Sequence, residues 1–204
     1  MSLSVAELNE TKVVPVEGLL PALAHRWSPR SFKDQPVAAG ELKTVLEAAR
    51  WAASSGNVQP WRFLVGVKGT EAWDKIFATL VPFNQAWAAN AAVLILGLGI
   101  ERDANGRANR YALYDLGQAV SQLTAQAAAL GLVTHSMGGF DADAARKAFG
   151  LSEDYGLGAV IALGHQAAPG ALADAQMQAR EVAARERKPL SEIALTALDT
   201  PLEI

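Results

Sequence analysis

The chain has 204 residues, half of them hydrophobic, and a formal net charge of -3. That length supports one sizeable core in one domain, and that charge excludes the strongly basic balance of a nucleic-acid binder. The absence of cysteine further excludes a disulfide framework, a thiolate nucleophile, a thiolate-held iron–sulfur cluster and a cysteine zinc site.

The N-terminus, Met1-Ser2-Leu3-Ser4-Val5, has no basic stretch leading into a long apolar one, so no secretory signal is expected and a cytoplasmic protein is. Residues 1–15 read as a loosely held leader without a sustained period. Glu17 to His25 reads as a short helix with Leu19, Leu20 and Leu23 on one face. Pro29 and Pro36 then bracket an extended stretch, since a proline pushes the residue before it out of the helical region. Gly40 to Ala53 is the clearest helix: Leu42, Val45, Leu46, Ala49 and Ala53 form one stripe, while Glu41, Lys43, Glu47 and Arg50 face outward. Its end runs into Ser54-Ser55-Gly56-Asn57, residues that favour turns. Trp61 to Val67 is a strand, rich in aromatic and β-branched residues. Glu71 to Leu80 is a helix stopped near Pro82.

The apolar run from Trp87 to Ile100 is interrupted by Asn90 and is too short to span a membrane. It reads as a central strand, Val93 to Leu98, with its approach. Tyr111 to Leu130 is a long Ala-rich helix burying Leu113, Leu116, Val120, Leu123 and Ala127, with Gly131 placed to end it. Leu132 to His135 is a short strand leading into Met137-Gly138-Gly139-Phe140-Asp141. Asp141 or Asp143 caps a helix reaching about Phe149. Leu157 to Leu163 is a further strand. Gln166 to Gln178 carries no clear element, Arg180 to Lys188 carries a basic cluster, and 189–204 reads as an extended tail. Helices and strands mix without strict alternation, which favours an α+β fold over a doubly wound sheet.

Two arginine-bearing segments lie at opposite ends of the chain: Arg26-Trp27-Ser28-Pro29-Arg30 and Arg185-Glu186-Arg187-Lys188-Pro189. In an extended segment Arg26, Ser28 and Arg30 share a side, and so do Arg185 and Arg187. Guanidinium groups with a hydroxyl suit a phosphate. Taken singly, each cluster reads better as an ordinary solvated surface. Between them, Asn57 and Gln59 each offer a donor and an acceptor, which suits the edge of a flat heterocycle. Gly138 and Gly139 allow a planar ligand to approach the backbone closely. Together these features point to a phosphorylated flavin, FMN, as the cofactor.

The same residues carry a family resemblance. Arg26-x-Ser28-x-Arg30-x-Phe32 with Pro36-Val37 downstream, Ala52-Ala53-Ser54-Ser55-x-Asn57-x-Gln59-Pro60-Trp61, Asp115-x-Gly117-x-Ala119, Gly131-Leu132-x-Thr134, Gly138-Gly139-Phe140-Asp141 and Arg185-x-Arg187-Lys188-Pro189-Leu190 stand in an order and separation that resemble the nitroreductase family of FMN-dependent enzymes. The likeness runs from about His25 to Ile193. It implies a central, mostly antiparallel sheet flanked by helices and a domain-swapped homodimer with FMN at the interface. Residues 1–24 would be a leader with a short helix, 25–193 the FMN-binding domain, and 194–204 a tail crossing onto the partner.

By matching position, the resemblance puts Arg26, Ser28, Arg185 and Arg187 at the phosphate and ribityl end, with Trp27 and Met137 also at the cofactor. Arg30 falls near N1 and O2 of the ring. Ser54, Ser55, Asn57 and Gln59 would contact the flavin, the serine pair from the other subunit. The backbone at Gly138 and Gly139 would face N5 and O4. Four departures stand out: Ala53 where many members have Pro, Gly138 where better-known members have Glu, a short lid region at 101–110, and a longer leader. They bear on the substrate rather than the cofactor.

The expected activity is a ping-pong oxidoreduction: hydride from NAD(P)H to the flavin, then to a small acceptor such as a nitroaromatic, quinone or enone. Arg30, Gly138 and Gly139 are the expected catalytic groups. His25, His135 and His165 are isolated and more structural than catalytic, and Phe83, Trp87 and Tyr111 either border the cleft or belong to the core. Other readings are different flavin chemistry on the same scaffold (reduction of a small aldehyde acid, dehalogenation, flavin breakdown), a flavin carrier, or a nicotinamide dehydrogenase using Gly97-Leu98-Gly99. The last lacks the third glycine of the dinucleotide fingerprint. A hydrolase lacks its nucleophile elbow. Partners are a second copy and a small molecule, with neither nucleic acid nor membrane.

Overall fold

The computed structural model describes residues 3–203; Met1, Ser2 and Ile204, the outer ends of the expected leader and tail, lie outside the described residues. Four strands make one sheet in the order β1-β2-β4-β3: β1 (Trp61–Val67), β2 (Val93–Ile100), β3 (Val133–Met137) and β4 (Tyr155–Gly164). Every neighbouring pair is antiparallel. The α+β expectation with an antiparallel sheet holds.

The two inner strands are apolar throughout because helices cover both faces. Side chains alternate across the pleat. Thus Leu94, Leu96 and Leu98 of β2 join Val160 and Ala162 of β4 in one core cluster. Val93 and Ile95 join Ile161 and Leu163 in the other. Helices α4 (Glu71–Thr79), α5 (Pro82–Ala88) and α7 (Ala142–Phe149) supply Trp73, Ile76, Trp87, Ala88 and Ala145 to the first cluster. Helices α3 (Ala39–Arg50) and α6 (Ala112–Ala129) supply Val45, Ala49, Leu116, Ala119, Leu123 and Ala127 to the second. Asp141 caps α7 by accepting from the Ala144 N–H.

Several expectations need correction. The leader is not loose: it contains α1 (Val5–Lys12), opened by a reciprocal Ser4–Glu7 capping box, and it buries Leu8 and Lys12. Its single buried apolar position leaves no period to read. The next helix, α2 (Pro21–His25), starts later than expected, and Leu19, Leu20 and Leu23 are exposed. Ala52, not Ala53, is buried beyond α3. Leu113 is exposed at the start of α6, where Asp115 is buried instead. Pro82 does not merely stop α4; it opens α5, because proline lacks the N–H that the first turn leaves unpaired anyway.

The unassigned stretch before the basic cluster holds α8 (Ala175–Val182), capped by Asp174. The tail is not simply extended. It makes a single 3-10 turn at Leu190–Glu192 and a small hairpin, Leu195–Ala197 with Thr200–Pro201. Gly97 and Gly99 lie inside β2, paired to β1 and packed under Leu116 and Ala112 of α6. They are a close-packing device and form no phosphate loop. Among the described residues, no helix is long and apolar enough to cross a membrane.

Candidate functional site

The two arginine segments meet. Arg26, Trp27, Ser28, Arg30, Arg185 and Arg187 line one cavity of about 210 Å³, together with Lys12, Arg180 and Glu181. The first segment is pinned over β3 by the His135 side chain. His135 Nδ1 lies 2.9 Å from the Ser28 carbonyl and 3.1 Å from that of Pro29. The Arg30 backbone N–H donates to both Glu181 carboxylate oxygens, at 2.9 and 3.0 Å, and the Ser31 N–H donates to one of them at 3.0 Å. The second segment follows α8 directly, so the buried Glu181 joins the two.

The electrostatics of this cavity are one-sided. Burial lowers the pKa of Arg26, and the nearby Arg187 lowers it further. Burial lowers that of Arg185, followed by the charges of Arg26 and Arg187. Burial also lowers that of Arg30; Glu181 opposes the shift and Arg180 adds to it. No side-chain ion pair of Arg26, Arg30, Arg185 or Arg187 is present among the described residues. Arg30 Nε is buried without a hydrogen-bond partner. Several guanidinium groups gathered around a single carboxylate, Glu181, with a donor to spare, suit a multiply charged oxyanion.

The glycine loop lies nearby through α5, an element the sequence did not reveal. Gly139 accepts from the Val81 N–H at 3.1 Å and from the Asn84 side-chain amide at 2.9 Å. One residue along α5 from Pro82, Phe83 lies with its ring 5.8 Å from the guanidinium carbons of both Arg30 and Arg180. A Cβ on Gly139 would meet Asn84 at 2.8 Å, whereas one on Gly138 would meet nothing within 4 Å. The backbone at Gly138 is therefore open to a flat ligand, and Gly139 is held by packing. Met137, expected at the cofactor, buries its side chain in the core, which leaves its backbone for any such contact. It ends β3, and the alternation that exposes Ser136 turns Met137 inward.

Ser54, Ser55, Asn57 and Gln59 stand apart from the cations in this chain. Their loop leads into β1, one edge strand of the sheet, while Arg26–Arg30 is held by His135 of β3, the other edge strand. Ser55 is anchored by its N–H to Asp115 at 3.1 Å, and the Gln59 amide donates to Asn57 Oδ1 at 3.2 Å. Asn57 and Gln59 hold positive φ values of 55° and 52°. Such conformations in non-glycine residues store strain and cluster at functional sites.

Of the three aromatics weighed for the cleft, Trp87 is buried and stacks on Phe32, while Phe83 and Tyr111 are exposed. His25 lines a separate small cavity beside Arg26. His135 packs on Trp87, 4.6 Å between ring centres, and burial with the Arg30 charge lowers its pKa from 6.5 to about 4. Because carbonyl oxygens only accept, Nδ1 carries the proton of the neutral ring. Its folded pKa lies below the unfolded value, so its contribution is complete above about pH 6.5 and drains as pH falls toward 4. An acid limb of about 2–3 kcal/mol is expected between those values, absent in His135→Phe, when stability is followed by denaturant titration.

Lys12, Arg180 and Glu181 were not legible as site residues. Lys12 sits in an aperiodic segment, and nothing in the spacing of Glu181 shows a carboxylate turned inward onto backbone 150 residues away.

The comparisons concern the family and the fold. The nitroreductase family model matches residues 23–80 and 67–165. The chain is similar to a structure of an FMN-containing oxidoreductase, with 31% identity, a TM-score of 0.85, and coverage of 93% of this chain and 97% of the other. It is similar to a protein from Desulfovibrio desulfuricans, assigned as a nitroreductase and solved with FMN: 27% identity, TM-score 0.70, 89% and 98% coverage. It is 28% identical to an NADH dehydrogenase of Thermus thermophilus over 186 residues, 77% of this chain and 91% of that one. An antiparallel scaffold that brings both chain ends to one cationic cavity, and a family model spanning most of the chain, lead to one assignment: this chain belongs to the nitroreductase family.

Proposed function

We propose that this chain is an FMN-dependent oxidoreductase that takes hydride from NAD(P)H and reduces a small acceptor, a nitroaromatic, quinone or enone, in ping-pong turns within a homodimer. One observation carries the reading: arginines from residues 26–30 and 185–187 converge, with Glu181 as the one carboxylate lining the cavity beside them, in one cavity linked through α5 to the open backbone of Gly138. The cavity fits a phosphate, and the orphaned Arg30 Nε fits a further polar contact. Bound FMN would supply two-electron transfer between nicotinamide and acceptor; the protein's share is to bind, orient and tune.

Arg26, Ser28, Arg185 and Arg187 would hold the phosphate. Arg30 would place its guanidinium where negative charge gathers on reduction, and the Gly138 backbone would meet the ring edge. Arg30→Ala is expected to retain FMN yet be reduced by NAD(P)H at least about tenfold more slowly, a modest share of what a fixed donor at developing charge contributes. Stopped-flow reduction measures this, and an unchanged rate removes Arg30 from the role.

The second copy completes the site. Ser54, Ser55, Asn57 and Gln59 sit at the far edge of the sheet from the arginines, so a partner related by a two-fold axis can bring its loop to this cavity. Apolar exposure supports that partner: Trp51 is 71% exposed and Tyr114 69%, with Leu190, Ile193 and Leu198 along the tail also bare. The deciding experiment is the absorption spectrum of the purified protein, its bleaching by NADH or NADPH, and its mass by light scattering. A colourless monomer that ignores added FMN overturns the reading. Steady NAD(P)H consumption with a nitroaromatic or quinone separates an enzyme from a flavin carrier.

A further inference from the structure

We infer that Lys12 is an additional phosphate-end residue and that α1 is the clasp that holds the two arginine segments together around the cofactor. The inference rests on the FMN reading and extends its site to an element outside the matched family segments, which begin at residue 23.

α1 touches both halves of the cavity. On the first half, Asn9 accepts from the Trp27 indole N–H at 2.9 Å, and the Lys12 ammonium lies 4.8 Å above the Trp27 ring centre. On the second, Lys12 Nζ donates to the Ala183 carbonyl, and Arg185 donates back to the Lys12 carbonyl at 2.6 Å and to Ala24 at 3.2 Å. Asn9 also donates to Gln166 at 3.0 Å, and Leu8 is fully buried beneath the helix. α1 is thus fastened at its apolar face and at both cationic segments.

Lys12 is among the few buried charged side chains, at 2% exposure. Burying an ammonium group is costly unless it meets negative charge or several acceptors. Here it meets one carbonyl, an aromatic face and the charge of Glu181, against the opposing charge of Arg185. An ammonium group has three donors. Those beyond the Ala183 bond belong to a group lining the same cavity as Arg26, Arg185 and Arg187. The phosphate of the cofactor is the anion that gives this arrangement a purpose. The carboxylate that acts on Lys12, Glu181, is already occupied by the backbone of Arg30 and Ser31.

The test uses Lys12→Gln, which keeps a donor for the Ala183 carbonyl and removes the charge. Dissociation constants for FMN and for riboflavin are measured by flavin fluorescence on the deflavinated dimer, beside Arg26→Ala. FMN affinity is expected to fall about tenfold, as for loss of one charged hydrogen bond, while riboflavin affinity stays within about twofold. Lys12→Arg should restore FMN binding. Equal losses for both flavins would make Lys12 a packing residue only and overturn the phosphate role. Unchanged FMN affinity in both Lys12 variants overturns it too. Should Lys12→Gln not fold, a Lys12→Arg protein with full FMN affinity supports the charge role, and one with the same loss for both flavins overturns it. If Arg26→Ala also leaves FMN binding untouched, the FMN reading itself fails, which separates the two conclusions.

Discussion

Glu181→Ala is expected to be the most damaging single change in the cavity, lowering unfolding free energy by about 3–5 kcal/mol. The carboxylate is 1% exposed and takes the backbone N–H groups of Arg30 and Ser31. Removing it strands two backbone donors. It also withdraws the negative charge placed among Lys12, Arg30 and Arg180. Breaking a buried charged contact on one side costs on this scale, because the partners are left desolvated. Urea titration of wild type and variant measures it. A loss below about 1 kcal/mol would show that segment 30–31 holds its path without the carboxylate. Glu181→Gln keeps one acceptor but offers amide hydrogens toward cations and backbone donors, so it should recover only part of the loss.

Arg26→Ala should do the reverse: cost little stability and much affinity. The side chain is partly buried, and its recorded hydrogen bond, to Ser28 Oγ, is long at 3.4 Å. Its guanidinium repels that of Arg187. Deleting it relieves repulsion in the ligand-free protein and removes a charge-assisted bond from the loaded one. FMN binding should weaken by about 1.5–3 kcal/mol with the apoprotein melting point unchanged or raised. Arg187→Ala should weaken binding by less, since Arg187 is exposed and water already screens it. Calorimetric titration with FMN checks both. Arg185 is a poorer probe, because its bonds to Lys12 and Ala24 make it part of the frame.

The sequence was most legible where a residue's chemistry acts locally. The α3 stripe, the aromatic and β-branched run of β1 and the Asp141 cap depend on near neighbours, and they appear within a few residues of where they were expected. The arginines were legible because their spacing and the flanking prolines fix an extended path. Pro82 misled because one residue ends one helix and begins the next, and only packing of Trp87 decides that α5 forms. Leu19, Leu20 and Leu23 misled for the opposite reason: apolar periodicity shows that a face wants cover and does not say whether its own chain supplies it. Lys12 and Glu181 were silent because their roles come from contacts more than 145 residues away in sequence.

The guanidinium cluster, in which Arg26, Arg185 and Arg187 repel one another, also couples loading to endurance. An unliganded copy keeps that repulsion as internal strain, and any anion that fits relieves it. Each tenfold excess of free ligand over its dissociation constant adds about 1.4 kcal/mol to the native state by mass action. A chain without its ligand is thus less stable than a loaded one, and the melting point should rise with the concentration of free FMN.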